Sequence, residues 1–155
     1  MWTDTPEGRE LVTRVSQDLV SQVAPEELDL FDELIADYYA NPSPPSRSGS
    51  DDPLAFGLEG MLVAATTPAA AAMVTTAISY IATEVLKVTQ EESIKSLLTK
   101  IRAYFHPKDK AKALTPAQLR QVYEATRGEA AAFDLPPEEA DRLARALVGT
   151  LVLST

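Results

Sequence analysis

One histidine, His106, and no cysteine occur in the 155 residues, and those two counts set the chemistry within reach. Without cysteine there is no thiol nucleophile, no disulfide and no thiolate metal site. A zinc centre would rest on carboxylates almost alone, a poor donor set for that ion. Nucleophile–histidine–acid catalysis would have to use His106, in the stretch FHPKDK, and no G-x-S-x-G elbow accompanies it. Its position before Pro107 suits a cation at a helix C-terminus instead.

Carboxylates are plentiful. Asp29, Asp32, Glu33 and Asp37 follow one another at spacings that put acids along a helix. Helical bundles that bind two iron ions use such rows, but they add Glu-x-x-His pairs from other helices, and none is present. The row reads as a solvated acidic face. FGLEG, residues 56–60, lacks both the G-x-x-x-x-G-K-[ST] pattern and the strand that precedes a phosphate loop. GSDD, residues 49–52, is too short for a calcium loop. The expectation is a protein with no catalytic residue, no cofactor and no metal. A helical enzyme without a recognisable motif is the remaining alternative in that class.

Charge is more informative. The formal net charge is −9, which argues against a general nucleic-acid binder, because phosphate binding needs a basic surface. Residues 1–60 hold 13 acidic and 3 basic side chains, whereas residues 93–112 carry Lys95, Lys100, Arg102, Lys108, Lys110 and Lys112 against Asp109 alone. Such a split suits complementarity within one fold. It equally suits docking of a partner or of lipid headgroups. The candidate partner-binding residues are those six cations together with Asp29, Asp32, Glu33 and Asp37.

The elements that must position them read as helices throughout. Pro6 suits a first turn for Thr5–Val23, with Val12, Val15, Leu19 and Val23 on one face. Pro25 opens a second helix whose apolar face is Leu28, Phe31, Ile35 and Tyr38, closed by Asn41-Pro42. By helical geometry one ring of Tyr38-Tyr39 points inward and the other outward. Residues 41–53, NPSPPSRSGSDDP, deny themselves helix and ladder alike and form a loop. Leu54–Thr66 predicts a short apolar helix in which Gly57 and Gly60 allow a close backbone approach.

Thr67-Pro68 then starts a helix that nothing forces to stop before His106-Pro107, about 38 residues or roughly 57 Å. Val74, Ile78, Ile81, Val85 and Val88 form one stripe, and Ile94, Leu98, Ile101 and Phe105 a second one turned away from it. Thr89 and Glu92 fit a capping box between them, which favours a break there. Thr115-Pro116 and Pro136-Pro137 start two further amphipathic helices. Their faces are Leu119, Val122, Tyr123, Thr126, Ala130 and Phe133, then Ala140, Leu143, Ala144, Leu147, Val148 and Leu151. The short link between them predicts antiparallel packing.

The predicted fold is therefore all-α, a single-domain bundle of about six helices around a long Ala-rich central helix. It divides into an N-terminal helical hairpin (1–40), the Pro/Ser-rich loop (41–53) and the bundle proper (54–155), within one domain. Gly60–Thr83 is uncharged over 24 residues, enough in length for a membrane span. Its Ala and Thr gain little in hydrocarbon, however, and Thr67-Pro68 divides it into pieces too short to span comfortably. A buried core helix is the expectation. A membrane-active protein that inserts the Gly57–Val88 region is the alternative.

LAFGLEGMLVAATTP with the helix after it, and LTPAQL…LPPEEADRLARALVGTL, resemble small helical proteins of actinobacterial type with no assigned activity. The resemblance covers about two thirds of the chain. It implies a bacterial helical accessory protein encoded beside signalling or defence components, and it carries no catalytic residue across. Together these readings predict a non-enzymatic adaptor or regulatory protein acting on a protein partner. The acidic, polar N-terminus MWTDTPEGRE lacks the form of a secretory signal, so the expected location is cytoplasmic, with inner-membrane association as the alternative. Trp2 is a further candidate anchor.

Overall fold

The computed structural model describes residues 5–40, 66–88, 92–105, 107 and 113–152. Trp2, the 41–53 loop, residues 54–65 with Gly57 and Gly60, Thr89, His106, Lys108, Lys110 and Lys112 lie outside the described residues. Among the described residues the fold is all-α, with six α-helices and no strand. They are α1 (Pro6–Val23), α2 (Phe31–Ala40), α3 (Thr66–Tyr80), α4 (Ile94–Arg102), α5 (Pro116–Ala132) and α6 (Pro137–Leu151). A 3-10 segment, Pro25–Leu30, leads into α2, and a π turn, Ile81–Val85, extends α3.

The helix starts follow local chemistry. The Thr5 side chain accepts from the Gly8 amide at 3.1 Å, ahead of Pro6 in the first turn of α1. Thr115 and Gln118 form a reciprocal capping box at the start of α5. At α4 the cap is Ser93, which accepts from the Ser96 amide, and not the anticipated Thr89.

Helix α3 is the axis of the bundle. Ala69, Ala70, Ala71, Ala72, Met73, Val74, Ala77 and Ile78 are all buried along it. It packs most extensively on α5, then on α1 and α2. Small alanine side chains let neighbours approach from several directions, so apolar residues need not be confined to one stripe. Threonine fits this setting by bonding back along its own helix: Thr75 donates to the Ala71 carbonyl at 2.8 Å, and buried Thr126 on α5 to Val122 at 2.7 Å. Among the described residues, no helix is long and apolar enough to cross a membrane.

The helical path does not continue to Phe105. The π turn closes with the Leu86 amide on the Ile81 carbonyl at 2.8 Å, and Lys87 takes the left-handed φ of 50°. A new helix starts only at Ile94. The two stripes accordingly serve two helices: Val74, Ile78 and Ile81 are buried in the first, Leu98, Ile101 and Phe105 in or just after the second. Ile94, expected on that second face, is 40% exposed, and Leu97 is buried in its place. The face expected after Pro25 is likewise only partly built. Phe31, Ile35 and Tyr38 are buried, but the tighter 3-10 winding turns Leu28 outward.

Helices α5 and α6 pack on each other, and Val122, Ala130, Leu143, Ala144 and Leu147 along them are buried. The connection between them turns at Asp134, whose φ is 63°, a conformation aspartate tolerates. Residues from all six helices join one hydrophobic core.

Candidate interaction surface

An open groove of about 640 Å³ runs along α1. Leu11, Arg14, Val15, Asp18 and Ser21 line its floor at spacings of three and four, so they share one side of the helix. From Leu11 to Ser21 the helix rises about 15 Å. Leu28 of the 3-10 segment stands on one wall, and Arg102 and Phe105 at the end of α4 form part of the lining as well. The floor is therefore apolar in its depth and polar at its edges. Leu11, Val15 and Phe105 are buried, while the exposed Arg14 side chain pairs with Glu10 at 3.0 Å.

The chain beyond Leu28 is acidic. Asp29 follows directly, Leu30 is 42% exposed, and Asp32 and Glu33 occupy the first turn of α2. Asp29, Asp32, Glu33 and Asp37 are all exposed, so the predicted acidic face exists as a solvated surface. Asp32 and Glu33 suit the positive end of the α2 dipole. Glu27, half-buried between this surface and the core, has a different role, since it holds the start of α3.

The predicted basic residues divide. Lys95, Lys100 and Arg102 lie exposed on α4. Lys100 is paired with Glu92 within the chain, while Arg102 joins the groove. The structure thus brings one predicted cation, Arg102, into the groove, whereas none of the predicted acids lines it. Charge and helical period in the sequence did not reveal that Arg14 belongs there too. The signal lay in Leu11, Arg14 and Asp18, which make a mixed stripe beside the purely apolar one.

A second polar cluster joins α5 to α6. The Tyr123 hydroxyl donates to Asp141, which also pairs with Arg145 at 3.0 Å. The tyrosine hydrogen bond, with help from Arg145 and Arg127, holds the Asp141 carboxyl below its ordinary range. Tyr39 bridges α2 to α1, where its hydroxyl donates to the Arg9 carbonyl at 2.8 Å and lies 2.7 Å from the Thr13 hydroxyl. Burial pushes the hydroxyl pKa of both Tyr38 and Tyr39 upward. Among the described residues, no group of three or more His, Asp or Glu side chains is arranged to hold a metal ion.

Compared with protein-family models, curated proteins and solved structures, the chain matches none.

Proposed function

We propose that the chain is a non-enzymatic helical adaptor or regulatory protein, working in the cytoplasm by protein–protein contact through the groove along α1. The observation that carries this reading is the position of Leu28 and Leu30. Leu28, 37% exposed, lines the groove with the apolar Leu11, Val15 and Phe105, and Leu30, 42% exposed, lies two residues further along the same segment. Arg14, Asp18 and Arg102 line the same groove, and the exposed Asp29, Asp32 and Glu33 follow Leu28 along the chain. An apolar centre with a charged rim is the anatomy of a protein interface. The resemblance to actinobacterial-type helical accessory proteins supports a setting in bacterial signalling or defence.

Affinity capture from the native host tests the reading. The wild-type chain is compared with Leu28→Asp/Leu30→Asp and with Glu7→Lys, a control on the exposed start of α1. The expected result is a partner retained by wild type and control and lost from the leucine variant. Equal recovery by all three would move the interaction away from this groove.

A further inference from the structure

The stretch PEELDL, Pro25–Leu30, has little to hold it down. It winds as a 3-10 helix, whose hydrogen bonds are poorly aligned and which seldom runs beyond a few residues. None of its residues is buried, and neither Leu28 nor Leu30 belongs to the hydrophobic core. The anchors lie just outside it, at Ala24 and Phe31, each 1% exposed. At Ala24 the backbone leaves helical geometry, with φ −141° and ψ 65°, so the segment does not continue α1. Between the anchors Glu27 alone is half-buried. Its carboxylate crosses to α3, where it accepts from the Thr66 amide and from the amide and hydroxyl of Thr67.

We propose that Pro25–Leu30 is a strap that opens as a unit while the bundle stays folded, with Glu27 as its latch. A local opening is easy when it surrenders few buried apolar contacts and few hydrogen bonds. Opening here surrenders the Glu27 bonds and the 3-10 turns, and it uncovers no apolar side chain of the strap itself. Buried Ala24 and Phe31 keep the two ends in place. The Thr66 hydroxyl retains a separate tie to Glu139 of α6, which keeps α3 seated when the strap lifts. Opening also frees the first amides of α3, which have no intrahelical acceptor. The latch thus couples the strap to the start of a helix forty residues away. Leu28 and Leu30 travel with the strap, so Glu27 governs how far these leucines stand out from the bundle. Strap opening is a property of the isolated chain, and it stands or falls separately from the groove as a partner surface.

Hydrogen exchange of the whole chain, followed amide by amide by NMR at urea concentrations below the unfolding transition, tests the strap. The amides of Glu27 and Phe31 close the 3-10 turns on the Ala24 and Leu28 carbonyls. They should share one opening with the amides of Thr66 and Thr67, nearly insensitive to urea because little surface is exposed. The amides of Met73 and Ile78 should open only in a step that urea promotes steeply. Glu27→Ala should speed exchange at Thr66, Thr67 and the strap by about tenfold or more, and Glu27→Gln by less. Glu26→Gln, on an exposed neighbour, should leave it unchanged. A urea dependence at Glu27, Thr66 and Thr67 as steep as at Met73 and Ile78 would overturn the strap, because the segment would then open only with the whole bundle. Glu27→Ala that speeds Thr66 and Thr67 but not the strap would overturn the latch, leaving Glu27 as a cap of α3 and nothing more. The wild-type urea series decides the first point whether or not Glu27→Ala folds.

Discussion

Glu27 and Thr67 lie forty residues apart, and one carboxylate oxygen of Glu27 accepts from both the amide and the hydroxyl of Thr67, each at 2.9 Å. The other oxygen accepts from the Thr66 amide at 2.7 Å. A helix N-terminus leaves its first amides without intrahelical partners and carries partial positive charge. Here a distant carboxylate meets both needs. Thr67, expected as a local cap, lies inside the helix and is itself held; Thr66 reaches in turn to Glu139 of α6 at 3.3 Å. The contact pins the 3-10 segment, and hence the groove wall, to the axis of the bundle.

Glu27→Ala should therefore cost about 2–3 kcal/mol, since hydrogen bonds to a charged acceptor are lost and buried donors are left unpaired. Glu27→Gln should cost less, because one acceptor oxygen remains. Glu26→Ala, on an exposed neighbour, should stay within about 0.5 kcal/mol. Urea unfolding of the three variants gives the comparison. Equal stabilities would mean the capping bonds contribute nothing.

Ile78 is completely buried on α3. Ile78→Val should cost about 0.5–1.5 kcal/mol, whereas Ile78→Lys buries an unpaired charge and should abolish cooperative folding in plain buffer. Thermal melts followed by circular dichroism distinguish the outcomes. A fully folded lysine variant would mean that α3 is not the axis of the core.

At Lys87 a left-handed φ of 50° burdens a residue with a Cβ. Lys87→Gly relieves that strain at a helix end where glycine is favoured, and should raise stability by about 0.5–1 kcal/mol. A lower melting temperature would contradict this view of the break after the π turn.

Asp141 supplies a dependence on pH. Its folded carboxyl titrates below the ordinary 3.8, mainly through Tyr123. The resulting stability is present above the unfolded value and is lost as pH falls through the lower folded value. Tyr123→Phe should thus be less stable than wild type at neutral pH, with the gap narrowing once pH drops below about 3.8. Stability measured against pH for the two proteins checks it, and a gap that stays constant into acid would remove Asp141 from the explanation.

Ser16 on α1 is buried, and its hydroxyl has no hydrogen-bond partner among the described residues. An unmet hydroxyl in the core gives nothing back for its desolvation, so Ser16→Ala should be neutral or stabilising by up to about 1 kcal/mol. A loss beyond that range in urea unfolding would show that the hydroxyl is satisfied in solution.

How far the sequence was legible follows from which forces are local. Pro6, Pro116 and Pro137 mark helix starts through their own fixed φ, and periodicity placed Val12, Leu19, Leu143 and Leu147 inside correctly. The antithesis is Leu28, which periodicity put in the core. Its outward turn goes with the 3-10 winding of Pro25–Leu30, which apolar period does not distinguish from an α-helix. The capping box at Thr115 and Gln118 is written locally in TPAQ, whereas the box expected at Thr89 gives way to Ser93 as the cap of α4. Glu27 was invisible as a cap because nothing local relates it to residue 67. The acidic and basic sets were legible as charge. The arrival of Arg102 at the groove beside Arg14 and Asp18 is a product of tertiary placement.

The most direct measurement is hydrogen exchange by mass spectrometry on the whole chain at low and high protein concentration. Amides of Ala69–Ile81 should exchange slowest at both, and those of the exposed Leu28–Leu30 stretch much faster. Exchange along Ala69–Ile81 as rapid as in Leu28–Leu30 would contradict α3 as the buried axis of the bundle.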